Sequence, residues 1–319
     1  MNTKTMLALL FGVALSAVAC GDDTNNNDPT GNTTSNTGGN GGAGGAGGAG
    51  GAGGAGGASA LEVQTYVSEE GASVDSHLIV GATEAILVDG QFFTAGAQKA
   101  VDMIKASGKT LTTVFLTHAH PDHYVGMDVI KSAFPNAKFV TSAAVLTDYQ
   151  AKAQPTFDFL KNMLGNAIPD KIVTFEAAAG ASLTVDGHPI NIIDVPDAGE
   201  SEKAAILEIP DMKAAFAGDL VYNKAHLWLA ECKGDGWKKN LDFLAGKGYT
   251  TYYPGHGPKA TDAVLAEDKA YIDGALPILM NAATPEEAKM QLKTKFPDYT
   301  GDVLLNGSTD NYFMTCKMP

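Results

Sequence analysis

The chain has 319 residues, 45% of them hydrophobic, with 36 acidic against 22 basic side chains and a formal net charge of −14. Every basic residue is Lys; there is no Arg. The charge opposes binding to nucleic acid or an anionic membrane face, and the lack of guanidinium forks disfavours a phosphate-clamping nuclease or phosphodiesterase.

Residues 1–20 read as a secretory signal. Lys4 supplies the positive start, and Met6 to Val18 is an apolar run too short for a comfortable membrane span. Small residues then lead to Cys20, which resembles the lipobox of bacterial lipoproteins, although Ala17 stands where Leu is usual. Lipidation of Cys20 and ordinary cleavage after an Ala-x-Ala-like site are both open. Residues 21–59 are Asn, Thr and Gly, then a Gly-Gly-Ala repeat. With almost nothing apolar larger than Ala, this stretch forms no core and is expected to be a flexible tether of roughly 35 Å. The expected address is therefore outside the inner membrane, on a lipid anchor, in the periplasm or at the cell surface.

Residues 60–319 are expected to form one domain. With Lys4, Asp22, Asp23 and Asp28 set aside, 21 basic and 33 acidic residues remain. Cys232 and Cys316 have no metal-ligand spacing; they either pair in an oxidising compartment or stay as separate thiols.

Short strands are predicted over Glu62 to Val67, His77 to Val80 and Ala85 to Val88. His77 lies among apolar residues and reads as a packed core histidine. A helix follows with Ala97, Val101 and Ile104 on one face and Gly108 past its end. Leu111 to Leu116 is a buried strand, and Val125 to Phe134 a helix. Between them lies His118-Ala119-His120-Pro121-Asp122-His123. Three imidazoles and a carboxylate in a turn between a strand and a helix suit a divalent metal, zinc in particular.

Further on, Lys138 to Thr141 is a strand, 142–165 is mostly helical with a break at Gln154-Pro155, and Ile172 to Phe175 is a strand. Ser182 to Val185 and Ile190 to Val195 form a hairpin whose turn holds His188. Lys203 to Ile209 and Ala214 to Ala217 form a second hairpin, delivering Gly218-Asp219 to a strand end. A short helix carries Trp237, Leu241 and Leu244, and the strand Tyr249 to Tyr253 runs into Pro254-Gly255-His256-Gly257. Leu265, Ile272, Leu276 and Leu279 mark a helix, and Thr284, Pro285 and Glu287 begin another with a capping box. Beyond Gly301 no element is legible. Strands and helices do not alternate as in a parallel sheet; two mixed sheets face to face with helices outside fit better.

His118, His120, Asp122, His123, Asp219 and His256 all follow predicted strands, where loops can converge on one site. In this set, and in Asp89 after an early strand, the chain resembles the metallo-β-lactamase superfamily over essentially all of 60–319. The resemblance implies an α/β, αββα sandwich holding one or two metals, usually Zn2+. It assigns His118 and His120 to a first metal, Asp122, His123 and His256 to a second, and Asp219 to both, with Asp122 also orienting the nucleophile or moving its proton. The implied chemistry is attack by a metal-held hydroxide on an ester, lactone, thioester or amide of a small molecule. A β-lactamase proper is the alternative enzyme. A catalytically weak binding protein is the alternative from another class.

One turn departs from the family pattern. Where a third His normally serves the first metal, this chain has Val195-Pro196-Asp197-Ala198-Gly199-Glu200-Ser201-Glu202. Either Glu200 replaces the imidazole with a carboxylate, or the first site is weak or empty. Tyr222 and His226 are candidate substrate contacts, with packing as the plainer role for each.

Overall fold

Alternation along the strand Ala214 to Phe216 shows how the layers are built. Ala214 and Phe216 face the core between two sheets, while Ala215 and Ala217 face a second core under the outer helices. A strand covered on both sides favours apolar side chains, and all nine positions of Ala214–Tyr222 are buried, with Asp219 the one charged residue among them. The computed structural model describes residues 60–317. The expected signal, the expected lipidation of Cys20 and the expected tether fall outside these residues.

The first sheet has the order β1 (Glu62–Val67), β2 (Asp75–Val80), β3 (Glu84–Val88), β4 (Thr110–Phe115), β5 (Lys138–Thr141), β6 (Glu176–Ala177). The β1–β2–β3 pairings are antiparallel and the rest parallel. Helices α1 (Thr94–Ser107), α2 (Pro121–Tyr124), α3 (Met127–Ala133) and α4 (Ala143–Leu164) belong to this half. The second sheet runs β11 (Thr251–His256), β10 (Ala214–Tyr222), β9 (Ala205–Ile209), β8 (His188–Asp194), β7 (Ser182–Val185). Its one parallel pair is β10–β11. Helices α5 (Gly234–Ala245), α6 (Ala263–Asn281), α7 (Pro285–Lys295) and α8 (Asp302–Thr315) accompany it. Two mixed sheets with helices outside are the αββα arrangement expected from sequence.

Local signals held where the chemistry is short-range. Gly108 ends α1 in the left-handed region at φ 66°, its N–H donating to Lys105 O. Thr284 caps α7 by accepting from Glu287 N–H at 3.2 Å, and Glu287 accepts in return from Ala283 N–H at 2.9 Å.

Three expectations need correction. Helix α4 passes through Pro155 unbroken. Ala151, whose carbonyl Pro155 cannot bond, is exposed to water, and Tyr149, Ala153, Phe157 and Leu160 keep one buried face on either side. Ile172 to Phe175 is not a strand; pairing begins only at Glu176, opposite Val140. Val173 and Phe175 are apolar because they cover α4: Tyr149 Oη donates to Val173 O at 2.6 Å, and the Phe175 and Tyr149 rings meet edge-on at 5.0 Å. His188 opens β8 rather than sitting in the turn, which is Asp186-Gly187. Cys232 and Cys316 form a disulfide, which resolves the choice left open by the sequence.

Candidate metal centre

Strand ends from both sheets meet at one edge of the sandwich. Strand β4 delivers Thr117 and His118, His120 is the residue before α2, and α2 itself carries Asp122 and His123. Asp219 lies in β10 beside a register shift at Gly218, and His256 ends β11. Two glycines make this convergence possible. Gly218 adopts φ 50°, and a Cβ there would overlap Thr117 Oγ1. A Cβ on Gly255 would overlap Asp219 Oδ1 itself. The sequence therefore reserves the space into which Asp219 points.

Three groups of side chains place ligand-type atoms within 4.8 Å of one another: His118, His120, Glu200 and Asp219; Asp122, His123 and His256; and Asp89, His118 and His123. Glu200 is thus brought to the first group, where the sequence left its place open. All of these are buried except His120, which is 17% exposed.

The imidazoles divide their nitrogens between two duties. His123 Nδ1 lies 3.0 Å from Asp89 Oδ2, and His256 Nδ1 lies 2.9 Å from Ala72 O. His118 Nδ1 lies 3.0 Å from Thr117 Oγ1, whose own proton goes to Asp89 Oδ2 at 2.7 Å. Thr117 must therefore accept from His118, so Nδ1 carries the proton and Nε2 is left as a bare lone pair. Asp89, held at φ 57°, also accepts Thr117 N–H at 2.8 Å. In all three rings Nε2 faces the cluster. His120 is reversed: Nδ1 lies 2.9 Å from Glu200 Oε1, and Nε2 points outward to Glu231 Oε1 at 3.5 Å.

His118 Nε2 is buried without a hydrogen-bond partner, and the buried His123 Nε2, Asp219 Oδ1 and Glu200 Oε1 meet only other members of the cluster, at 3.1 Å between His123 and Asp219 and 2.9 Å between His120 and Glu200. Buried polar atoms so short of partners are costly, and each of these belongs to one or more of the ligand groups. Imidazole nitrogens oriented by outer partners, together with carboxylate oxygens, are a donor set that fits a divalent metal.

The electrostatics have the same sense. Burial works against the charged forms, but carboxylates and imidazoles overcome it for one another. His256 is raised to about 10 by Asp219 and Asp122 against its own burial. His123 is raised well above the ordinary value by Asp219, Asp122 and Asp89, and His120 by Glu200 and Glu231. Asp219 is held well below the carboxylate range by His256, His123 and His118, again against burial. His118, which burial and the neighbouring His123 disfavour as a cation, is pushed well down. Glu200 rises to about 7, chiefly through burial. Protons thus compensate the carboxylates in a pocket where a cation would displace them.

Tyr222 does enter the assembly: its Oη donates to Asp219 Oδ2 at 2.7 Å and its ring stacks on His256 at 5.0 Å. His226 lies outside it. Its Nδ1 is 2.7 Å from Tyr271 Oη, and its ring packs against Tyr271 and Tyr299 with 1% exposure. The expected substrate contact is thereby corrected to packing within an aromatic cluster. Sequence reasoning missed Glu231, which has no ligand-like spacing to the other residues, and Asp75, a carboxyl 1% exposed that burial pushes well up.

A family model described as the metallo-beta-lactamase superfamily matches residues 70–256. The chain belongs to that superfamily. Among solved structures, the metallo-beta-lactamase family protein TTHA1429 from Thermus thermophilus is similar at 20% identity and TM-score 0.53, covering 80% of this chain and 93% of its own. The B3 metallo-beta-lactamase BLEG-1 is similar at 16% identity and TM-score 0.52, covering 66% and 99% respectively. Likeness at this identity speaks to the fold. No curated protein matches the chain.

Proposed function

We propose that this protein is a divalent-metal-dependent hydrolase of a small ester, lactone, thioester or amide. The observation that carries the reading is the pair of adjoining groups of buried, inward-facing imidazole and carboxylate atoms. His118, His120, Glu200 and Asp219 would hold one zinc-type ion, and Asp122, His123, Asp219 and His256 a second. Such ions lower the pKa of water toward neutrality and polarise a carbonyl oxygen.

The chain's own residues supply the rest. Asp89 and Thr117 fix the His118 and His123 rings. Tyr222 orients Asp219 and shields the His256 face. Asp122 Oδ2 stands 3.4 Å from His256 Nε2 and 3.7 Å from His123 Nε2; from there it would orient a nucleophilic water or take its proton. Glu200 in place of the family's usual imidazole makes the first site harder and more anionic, which counts against a β-lactamase proper. The Cys232–Cys316 disulfide supports an exported location, since such bonds persist in oxidising compartments.

The test is metal content of the purified full chain, with turnover across ester, lactone, thioester, amide and β-lactam substrates. Two equivalents of metal and hydrolysis lost in His120→Ala are expected. No bound metal, or unchanged hydrolysis in His120→Ala, would overturn the reading.

A further inference from the structure

The reversed ring of His120 points to a residue outside the ligand groups. Its three companions each have an outward nitrogen held by Thr117, Asp89 or a backbone carbonyl. For His120 the corresponding atom is Nε2, and the group facing it is Glu231 Oε1 at 3.5 Å. The Glu231 side chain is 7% exposed, and Oε1 has no hydrogen-bond partner. Rotation of a Glu carboxylate about its last torsion is soft and closes such a gap to a hydrogen bond.

The mount of Glu231 is unusual. It lies in the segment between β10 and α5, which has no regular structure over 226–231. This segment is fixed from one side by α8. Leu229 N–H donates to Ser308 Oγ at 2.7 Å, and Ala230 O lies 3.2 Å from Thr315 Oγ1, whose proton is shared with Asn311 O at 2.7 Å. The next residue, Cys232, stands at φ 62° and is joined covalently to Cys316, at the end of α8. A bond spanning 84 positions of sequence thus ends one residue from the carboxylate that faces His120.

We infer that Glu231 is the positioning residue of His120, accepting Nε2–H so that Nδ1 is presented to the first metal, and that the Cys232–Cys316 disulfide holds it there. The inference rests on the metal-centre reading above. It adds a carboxylate–imidazole–metal relay on the segment between β10 and α5, braced by α8. Partners of this kind orient the ring and raise its basicity, and their loss typically weakens metal affinity about 10–100-fold.

Zinc affinity of the full chain is the measurement, taken by competition with a chromophoric chelator, with thermal unfolding of the metal-free protein alongside. In Glu231→Gln one equivalent is expected to weaken about 10–100-fold, with the second equivalent and the metal-free midpoint unchanged. Glu231→Asp, which keeps the charge, should recover part of the loss. Cys232→Ser/Cys316→Ser should weaken the same equivalent. Wild-type affinity for both equivalents in Glu231→Gln overturns the inference while leaving the metal centre standing. So does a Glu231→Gln protein that unfolds without metal, since that is what a purely structural residue would do. A wild-type chain that binds no zinc removes the metal-centre reading itself.

Discussion

At the scale of the residue, the buried histidines divide by what stands behind them. Those of the cluster have a carboxylate or an open lone pair in front, whereas His77 is saturated. Its Nε2 lies 2.7 Å from Pro254 O and its Nδ1 is 2.9 Å from Thr65 Oγ1, a pairing that suits the neutral ring. Burial, only partly offset by the Pro254 carbonyl and Asp89, lowers its pKa from 6.5 to about 4. Between those values the unfolded chain binds a proton that the folded chain refuses. Stability from this residue is therefore complete above about pH 6.5 and falls as pH drops toward 4, by about 3 kcal/mol in all. In His77→Gln, denaturant unfolding in the presence of a chelator should show a shallower loss between pH 6.5 and pH 4; an unchanged slope would contradict the assignment. The clustered residues were legible in the sequence because ionisable side chains directly after apolar strands stand out. Glu231 was not, because its position depends on a long-range covalent tie and not on spacing.

At the scale of the element, short-range rules explain what could be read. The α7 start combines Thr284 accepting at the cap, Pro285 in the first turn and Glu287 bonding back. Thr284→Ala should cost about 1 kcal/mol in chemical denaturation, without changing metal content. Helix α8 was invisible for the opposite reason. Its buried face includes Ser308, Thr309 and Asn311 beside Leu304, Leu305 and Tyr312, so no apolar stripe marks it. Pro155 misled because a helix break was assigned from a residue type whose lost hydrogen bond falls on the wet side of α4.

At the scale of the molecule, two mixed sheets with helices outside were accessible from the succession of strands and helices and from the superfamily motif, whereas the strand order within each sheet was not. How α8 is fastened to the rest was not. The Cys232–Cys316 bond closes a loop across 84 positions that includes α5, β11, α6 and α7. Removing it as Cys232→Ser/Cys316→Ser should cost about 2–5 kcal/mol, chiefly by freeing the unfolded chain; equilibrium unfolding of the metal-free protein checks this. The scattering of the ligands also has a consequence in time. His256 is made 138 positions after His118, a delay of roughly 7–30 s at ordinary rates of synthesis. Asp219 is made before it, but until His256 arrives the early histidines have no closed pocket. On the metal-centre reading, the ion is thus among the last pieces fitted. With the export proposed above, the compartment where the chain finishes folding, rather than the one where it is made, then decides which metal it receives.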